Sequence, residues 1–152
     1  MITTNAQKSA NYISLVNSNN DPAQYLKNNF ENQKDKYIGQ PLYKVLNDLE
    51  LKIISHSAIN RVAPGMTGVD KRSIAGVYLC FSDQSEFMKK TKEERKQMKF
   101  YALMIYTKDL LLRSEYETLL FKKPINTDAD IKALYASKNY LVEKIEVITS
   151  FE

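Results

Sequence analysis

A single histidine and a single cysteine remove most of the metal chemistry and much of the covalent chemistry open to a chain of 152 residues. His56 alone cannot supply a paired-histidine zinc site or a facial triad. Cys80 alone cannot close an intramolecular disulfide or build a multi-cysteine metal site. It lies inside an apolar run, where a free thiol behaves as a small hydrophobe. Tryptophan is absent, so ten Tyr and six Phe carry the aromatic volume. No segment reaches the roughly 18 consecutive apolar residues of a membrane span. The opening residues 1–8 hold neither a basic block nor an apolar one, so no signal peptide is expected as written. On that basis the chain reads as cytoplasmic, or as extracytoplasmic if a leader has been removed, and its location stays open.

Charge of one sign is also scarce. The net charge is only +4, well short of the one-sided bias of a strong polyanion binder. The excess is local, however: residues 61–100 carry nine basic and five acidic side chains, while the segments on either side are nearly balanced. With 43% hydrophobic and 26% charged residues, the chain has enough apolar surface for a core and too much for wholesale disorder. Its length fits one domain.

The pattern along the chain predicts an α+β fold. Eight of the twelve Asn fall in the first 32 residues, so residues 1–20 read as a polar lead-in to a single domain over 21–152. Asp21-Pro22 has the chemistry of a helix start, and Leu26, Phe30 and Tyr37 follow on one side until Gly39. Leu42, Val45, Leu46 and Leu49 fit a second helix at i, i+3, i+4 and i+7. Residues 51–59 read as a first strand and 60–73 as a loop. Residues 74–82 and 100–107 form a second and a third strand. The third is apolar on both faces, with Leu103 and Ile105 on one and Ala102 and Met104 on the other, which places it mid-sheet. Capping-box spacings at Ser114 and Thr127 open two more helices, and residues 140–149 form the last strand, with Leu141, Ile145 and Val147 inward. The expected architecture is a mostly antiparallel sheet of about four strands, packed by the N-terminal helices and completed by a C-terminal helix–helix–strand.

One feature departs from a plain meander. Strands adjacent in sequence usually pair through a turn of two to five residues, yet Asp83–Lys99 puts 17 charged-rich residues between the second and third strands. A connection of that length is functional, disordered, or structured in its own right. The alternating charges and the apolar Phe87, Met88 and Met98 predict a short solvated helix protruding from the sheet.

Chemistry-bearing patterns are sparse. Ser55 and Ser57 flank His56, but neighbours in a strand point to opposite faces, so neither is its local partner. A Cys80–His56 dyad requires the two side chains to share a face. The carboxylate pairs Glu93/Glu94, Glu115/Glu117 and Asp128/Asp130 sit at helix starts or on charged surface, where capping and solubility explain them. Asn126–Asp130 has the spacing of a calcium loop, but Ile131 stands where Gly is required. The Gly-containing loop 64–72 sets Lys71 and Arg72 beside exposed backbone, without the Gly-Lys-Ser/Thr ending of a phosphate loop.

No catalytic residue, metal site or cofactor is assigned. The preferred reading is a non-catalytic binding or protein-interaction domain, with another protein as partner through Lys89, Lys90, Lys92 and Lys96, and with no specific nucleic acid and no membrane span. Two alternatives stay open: a small enzyme or ligand-binding protein with a cleft around His56, drawing on Lys71 and Arg72, and a weak polyanion binder using residues 61–100.

Overall fold

In the computed structural model, which describes residues 7–62, 69–112, 128–136 and 140–150, the expected α+β architecture is present. Four strands, β1 (Ser55–Val62), β2 (Val69–Cys80), β3 (Ala102–Leu112) and β4 (Val142–Ile148), pair in sequence order, every pair antiparallel. β3 lies between β2 and β4, as its two apolar faces require. The expected helix at residues 114–123 lies outside the described residues.

Register sorts the side chains into two faces. Leu79 pairs with Leu103 and Val77 with Ile105, and the rows continue to Val147 and Ile145 on β4. This face carries the main core. Over it pack α1 (Pro22–Leu26) and α2 (Leu42–Asp48) with their flanking turns, burying Tyr25, Leu26, Phe30, Tyr37, Leu42, Val45, Leu46 and Leu49. Each member of the periodic stripe Leu42, Val45, Leu46 and Leu49 is buried. The helix expected to run from Pro22 to Gly39 is broken instead. After α1 the chain widens into a π turn over Lys27–Glu31, closed by Asn32 N–H to the Lys27 carbonyl at 2.8 Å. The buried Asn29 side chain takes the Tyr25 carbonyl at 3.0 Å, the acceptor that an α-helix would give to the Asn29 N–H. The same amide also clamps Ile13 from both sides, accepting from its N–H at 2.9 Å and donating to its carbonyl at 2.7 Å.

Residues 9–20 are tied down by such polar pegs. Ser9 N–H donates to Asp48 Oδ1 at 3.0 Å, and Tyr12 and Leu15 pack against the core. Beneath them the buried Asp48 accepts from the Tyr37 hydroxyl at 2.8 Å, while the Tyr25 hydroxyl donates to the Asp48 carbonyl and accepts from Glu50 N–H, both at 2.8 Å. The Tyr12 hydroxyl donates to Glu50 Oε1 at 2.5 Å. Burial, reinforced by the neighbouring Asp48 carboxylate, raises the Tyr37 phenol well above its ordinary range, and burial pushes Tyr25 up to about 12. Both phenols are therefore neutral donors at any physiological pH.

Several expected boundaries and faces shift, each for a local reason. β1 begins at Ser55, not Leu51, because the segment before it turns to meet α5 (Asp128–Ala136): Ile53 N–H donates to Asp128 Oδ1 at 2.8 Å and Lys132 donates to the Leu49 carbonyl at 3.0 Å. β2 starts five residues early, through the stretch read as loop, because Arg61 and Val62 pair with Asp70 and Val69. A bulge at Ala75 reverses the alternation below it, so Ile74 joins the main core instead of sharing a face with Tyr78. Another bulge, between Tyr106/Lys144 and Thr107/Val142, leaves Glu143 unpaired and turns Val142 inward in place of Leu141. Gly76 sits hard against the β3 backbone. A Cβ there would fall on the Ile105 carbonyl oxygen and 2.8 Å from Tyr106 Cα, so no larger residue fits without moving backbone.

Candidate partner-binding groove

The opposite face of the sheet carries three cross-strand rows: Ser55–Cys80–Ala102–Ile148, Ser57–Tyr78–Met104–Glu146, and Ile59–Gly76–Tyr106–Lys144. The first row is covered by the long connection, which forms two short helices, α3 (Gln84–Met88) and α4 (Lys92–Gln97), folded back onto the sheet. This corrects the expectation of one protruding, solvated helix. Phe87 is buried against Phe100, ring centroids 5.1 Å apart, and the two close over Cys80 and Ala102 with Tyr78, Met98 and Ile148 at the margin.

The polar residues of the connection build this shape. Asp83 caps α3 by accepting from Ser85 N–H at 2.8 Å and from the Ser85 hydroxyl at 2.7 Å. Thr91 and Glu94 form a reciprocal capping box on α4: Glu94 N–H donates to Thr91 Oγ1 at 3.2 Å and Thr91 N–H to Glu94 Oε2 at 2.7 Å. Arg95 then reaches back across the turn. Its Nε donates to the Phe87 carbonyl at 3.1 Å, its Nη2 to the Met88 carbonyl at 2.8 Å, and its guanidinium lies 5.4 Å from the Phe87 ring. One side chain thus satisfies the C-terminal carbonyls of α3 and locks the angle between the helices.

Between the two helices lies an open cavity of about 550 Å³. Phe87 and Phe100 form its floor, Met88, two-thirds exposed, and Gln84 line one side, and Lys92, Arg95 and Lys96 supply three cations. Of the acids nearest in sequence, Glu93 is exposed on α4 beside Lys92, and the other three have partners of their own. Asp83 and Glu94 hold their caps, and those hydrogen bonds, first from the Ser85 hydroxyl and from the Thr91 backbone respectively, lower both carboxyl pKa values. Glu86 pairs with Lys89 at 3.3 Å. The charged residues lining the groove, among the described residues, are all cations, in contrast to the alternation along the sequence.

Of the four lysines expected at a partner site, Lys92 and Lys96 line the groove, whereas Lys89 is held by Glu86 and Lys90 is exposed in the turn between the helices. The sequence places Arg95 only in a basic run that could meet phosphates, and gives Phe87 and Phe100 no site role. Their signal was faint: an arginine eight residues after a phenylalanine, joined only by the turn between them.

The other expected residues do not converge. His56 pairs with Leu79 on the helix-covered face, half-buried, and burial lowers its pKa. Cys80 pairs with Ser55 on the opposite face, so the sheet itself keeps the Cys80 and His56 side chains apart. The thiol is fully buried, donates to the Ser82 carbonyl at 3.1 Å, and is pushed up in pKa by burial, the setting of an inert cysteine. Lys71 and Arg72 stand in β2 rather than in a loop, Arg72 seven positions from the His56 partner Leu79, which is roughly 20 Å along a strand.

A second cavity, of about 580 Å³, is lined by Gln7, Lys8, Ser9, Lys36, Lys44 and Asn47 among others. Its lysines are bonded within the protein: Lys8 to the Asn47 carbonyl at 2.6 Å, Lys36 to Gln33 Oε1 at 3.2 Å and Lys44 to Gln40 Oε1 at 2.6 Å. Neither cavity includes His56. Among the described residues, no cluster of three or more His, Cys, Asp or Glu is arranged to hold a metal, and no helix is long and apolar enough to cross a membrane. Comparison of the chain with models of protein families, with curated proteins and with solved structures found no match.

Proposed function

We infer that the chain is a non-catalytic interaction domain that meets another protein through the groove between α3 and α4. One observation carries the reading: the exposed Met88 and three cations share a single concave site above the buried Phe87 and Phe100. Recognition sites combine apolar lining, which supplies affinity, with a few placed polar groups, which supply orientation. A protruding apolar side chain of a partner would bury itself against the exposed Met88, and the cations would set its surroundings.

Site-directed photocrosslinking tests this in the producing cells. With p-benzoylphenylalanine replacing Met88, at the groove wall, a discrete crosslinked protein species is expected. The same replacement at Val16, a residue of similar high exposure outside the groove, should give none. Crosslinks from position 16 and none from position 88 would remove the groove from the interaction.

A further inference from the structure

The N-terminal segment is gripped by its backbone at every second residue from 7 to 15. Asn47 Nδ2 donates to the Gln7 carbonyl at 3.3 Å, Asp48 Oδ1 accepts from Ser9 N–H at 3.0 Å, and Gln33 Nε2 donates to the Asn11 carbonyl at 3.0 Å. Asn29 holds both main-chain groups of Ile13, at 2.9 and 2.7 Å, and Glu50 Oε2 accepts from Leu15 N–H at 3.0 Å. Two side chains of the segment add to this hold: Tyr12, edge-on to Tyr25 with ring centroids 6.2 Å apart, and Leu15, packed against the core. None of these contacts requires the segment and the body to belong to one molecule.

The link between them is the turn Val16–Asn20, and that turn is strained. Asn19 and Asn20 both stand in the left-handed region, at φ 57° and 55°, which asparagine tolerates and only glycine adopts freely. Ser18 is fully buried, and among the described residues its hydroxyl finds no hydrogen-bond partner, which leaves a desolvated polar group unpaired. Against this strain stand the turn's own main-chain hydrogen bonds, donated by Ser18, Asn19, Asn20 and Asp21 N–H at 3.0 to 3.1 Å. Water takes these over once the turn straightens. We propose that residues 7–15 are an exchangeable arm and that its second acceptor is another copy of this chain: the turn straightens, and each arm lies on the Asn29, Gln33, Asp48 and Glu50 surface of the other copy. The closed and exchanged forms share every arm contact, so the turn and the concentration set the balance between them. Five straightened residues span at most about 18 Å, which brings the two bodies together at α1. This surface belongs to the helical layer, across the sheet from the α3–α4 groove, and exchange does not depend on what fills that groove. Exchange is second order, so dilute chain stays closed and Val16 remains a silent control for crosslinking at Met88.

Concentration-dependent refolding tests the proposal. The full chain is refolded from denaturant at micromolar and at millimolar concentration, and its mass is read by light scattering on a sizing column. Monomer is expected from the dilute sample and a dimer from the concentrated one. In a dimer formed from isotope-labelled and unlabelled chains, filtered NOEs are expected between the Tyr12 ring of one copy and the Tyr25 ring of the other. Asn19→Gly/Asn20→Gly relieves the closed turn and should lower the dimer association constant tenfold or more. Asn19→Val/Asn20→Val sets branched side chains in the left-handed region and should raise it by as much. If the valine variant does not fold, wild type and the glycine variant decide alone. A wild-type chain that stays monomeric after concentrated refolding overturns the proposal. So does a dimer without the Tyr12–Tyr25 intermolecular NOEs, or one whose association the glycine variant leaves unchanged.

Discussion

On one face of the sheet, Val77, Leu79, Leu103 and Ile105 lie under a layer of helices and turns that brings Tyr25, Phe30, Tyr37, Leu42, Val45, Leu46 and Leu49 into one continuous core. On the other, the buried cluster among the described residues is Cys80, Phe87, Phe100 and Ala102, and Tyr78 and Tyr106 are half exposed. The difference lies in how each cover is held. The helical layer is fixed by area and by a buried polar network at Asp48 and Asn29. Among the described residues the α3–α4 cover is held by the small cluster around Phe87 and Phe100, with Met98 and Ile148 at its margin, and by Arg95, which takes the last two carbonyls of α3. The smaller cluster is the one expected to open locally ahead of the sheet, and it underlies the groove.

The comparison predicts unequal responses to truncation. Leu103→Ala removes a fully buried side chain from the centre of the large core and should destabilise the whole domain by about 2–5 kcal/mol in a denaturant melt. Phe87→Ala should cost less, about 1–3 kcal/mol, because the exposed margin of the small cluster can settle into the space left. The sharper readout is amide hydrogen exchange. Phe87→Ala should strip protection from residues 84–97 while β2 and β3 keep theirs, whereas Leu103→Ala should raise exchange everywhere. Uniform loss of protection in Phe87→Ala would mean that the two faces form one cooperative unit.

The polar network offers a subtler break. Tyr37→Phe preserves the ring, which stacks on Phe30 at 5.5 Å, and removes only the hydroxyl donated to Asp48. A buried acceptor deprived of a donor costs about 1–3 kcal/mol, so the variant should melt at lower denaturant with no change in the steepness of its transition. An unchanged midpoint would show that water replaces the hydroxyl.

Much of the large core could be read in the sequence, because its signal is periodic. Leu42, Val45, Leu46 and Leu49 declare a helix by spacing alone, and Leu103 and Ile105 declare a central strand by having Ala102 and Met104 behind them. What escaped were features set by distant partners. Nothing local distinguishes Val69–Ser73 from a loop, since Arg61, Val62 and Leu112 supply its pairing. The bulges at Ala75 and Glu143 each slip the alternation by one residue, and a one-residue slip moves every following side chain to the other face. Asp48 and Asn29 look like surface residues until the N-terminal segment arrives to bury them. The groove is the extreme case. Its lysines stand out in the sequence, but Glu94 and Asp83 look like their neutralising partners, and only the caps reveal that these acids are bound elsewhere.

A pH experiment sharpens the contrast from the side of the large core. Burial lowers the His56 pKa below its ordinary value of 6.5. The unfolded chain therefore takes up a proton at His56 before the folded one does. The stability contributed by this group is complete above about pH 6.5 and declines as pH falls from there toward the folded-state pKa. Wild type should lose more stability than His56→Gln between pH 7.5 and pH 5.5, and comparing the two isolates His56 from the carboxylates. Parallel slopes would place His56 in an environment no drier than that of the unfolded chain.

The smallest expected effect concerns the charges on the α3–α4 cover. Lys89→Glu/Lys90→Glu and Lys92→Glu/Lys96→Glu each reverse two exposed lysines. Solvent and salt screen such charges strongly. In the first pair, Glu at position 89 would face Glu86, its present partner across one helical turn, and like charges at that spacing repel weakly. In the second, a glutamate at position 92 meets the favourable N-terminal end of α4, and one at position 96 meets the unfavourable C-terminal end, so the two dipole effects oppose each other. Both variants should melt within about 2 °C of wild type. They should nevertheless differ in partner capture through the crosslinker at position 88, because Lys92 and Lys96 line the groove and Lys89 and Lys90 do not. A drop of several degrees in the second variant alone would mean that these lysines hold α4 in place. Equal loss of crosslinking in both would indicate a diffuse electrostatic attraction in place of a bounded site.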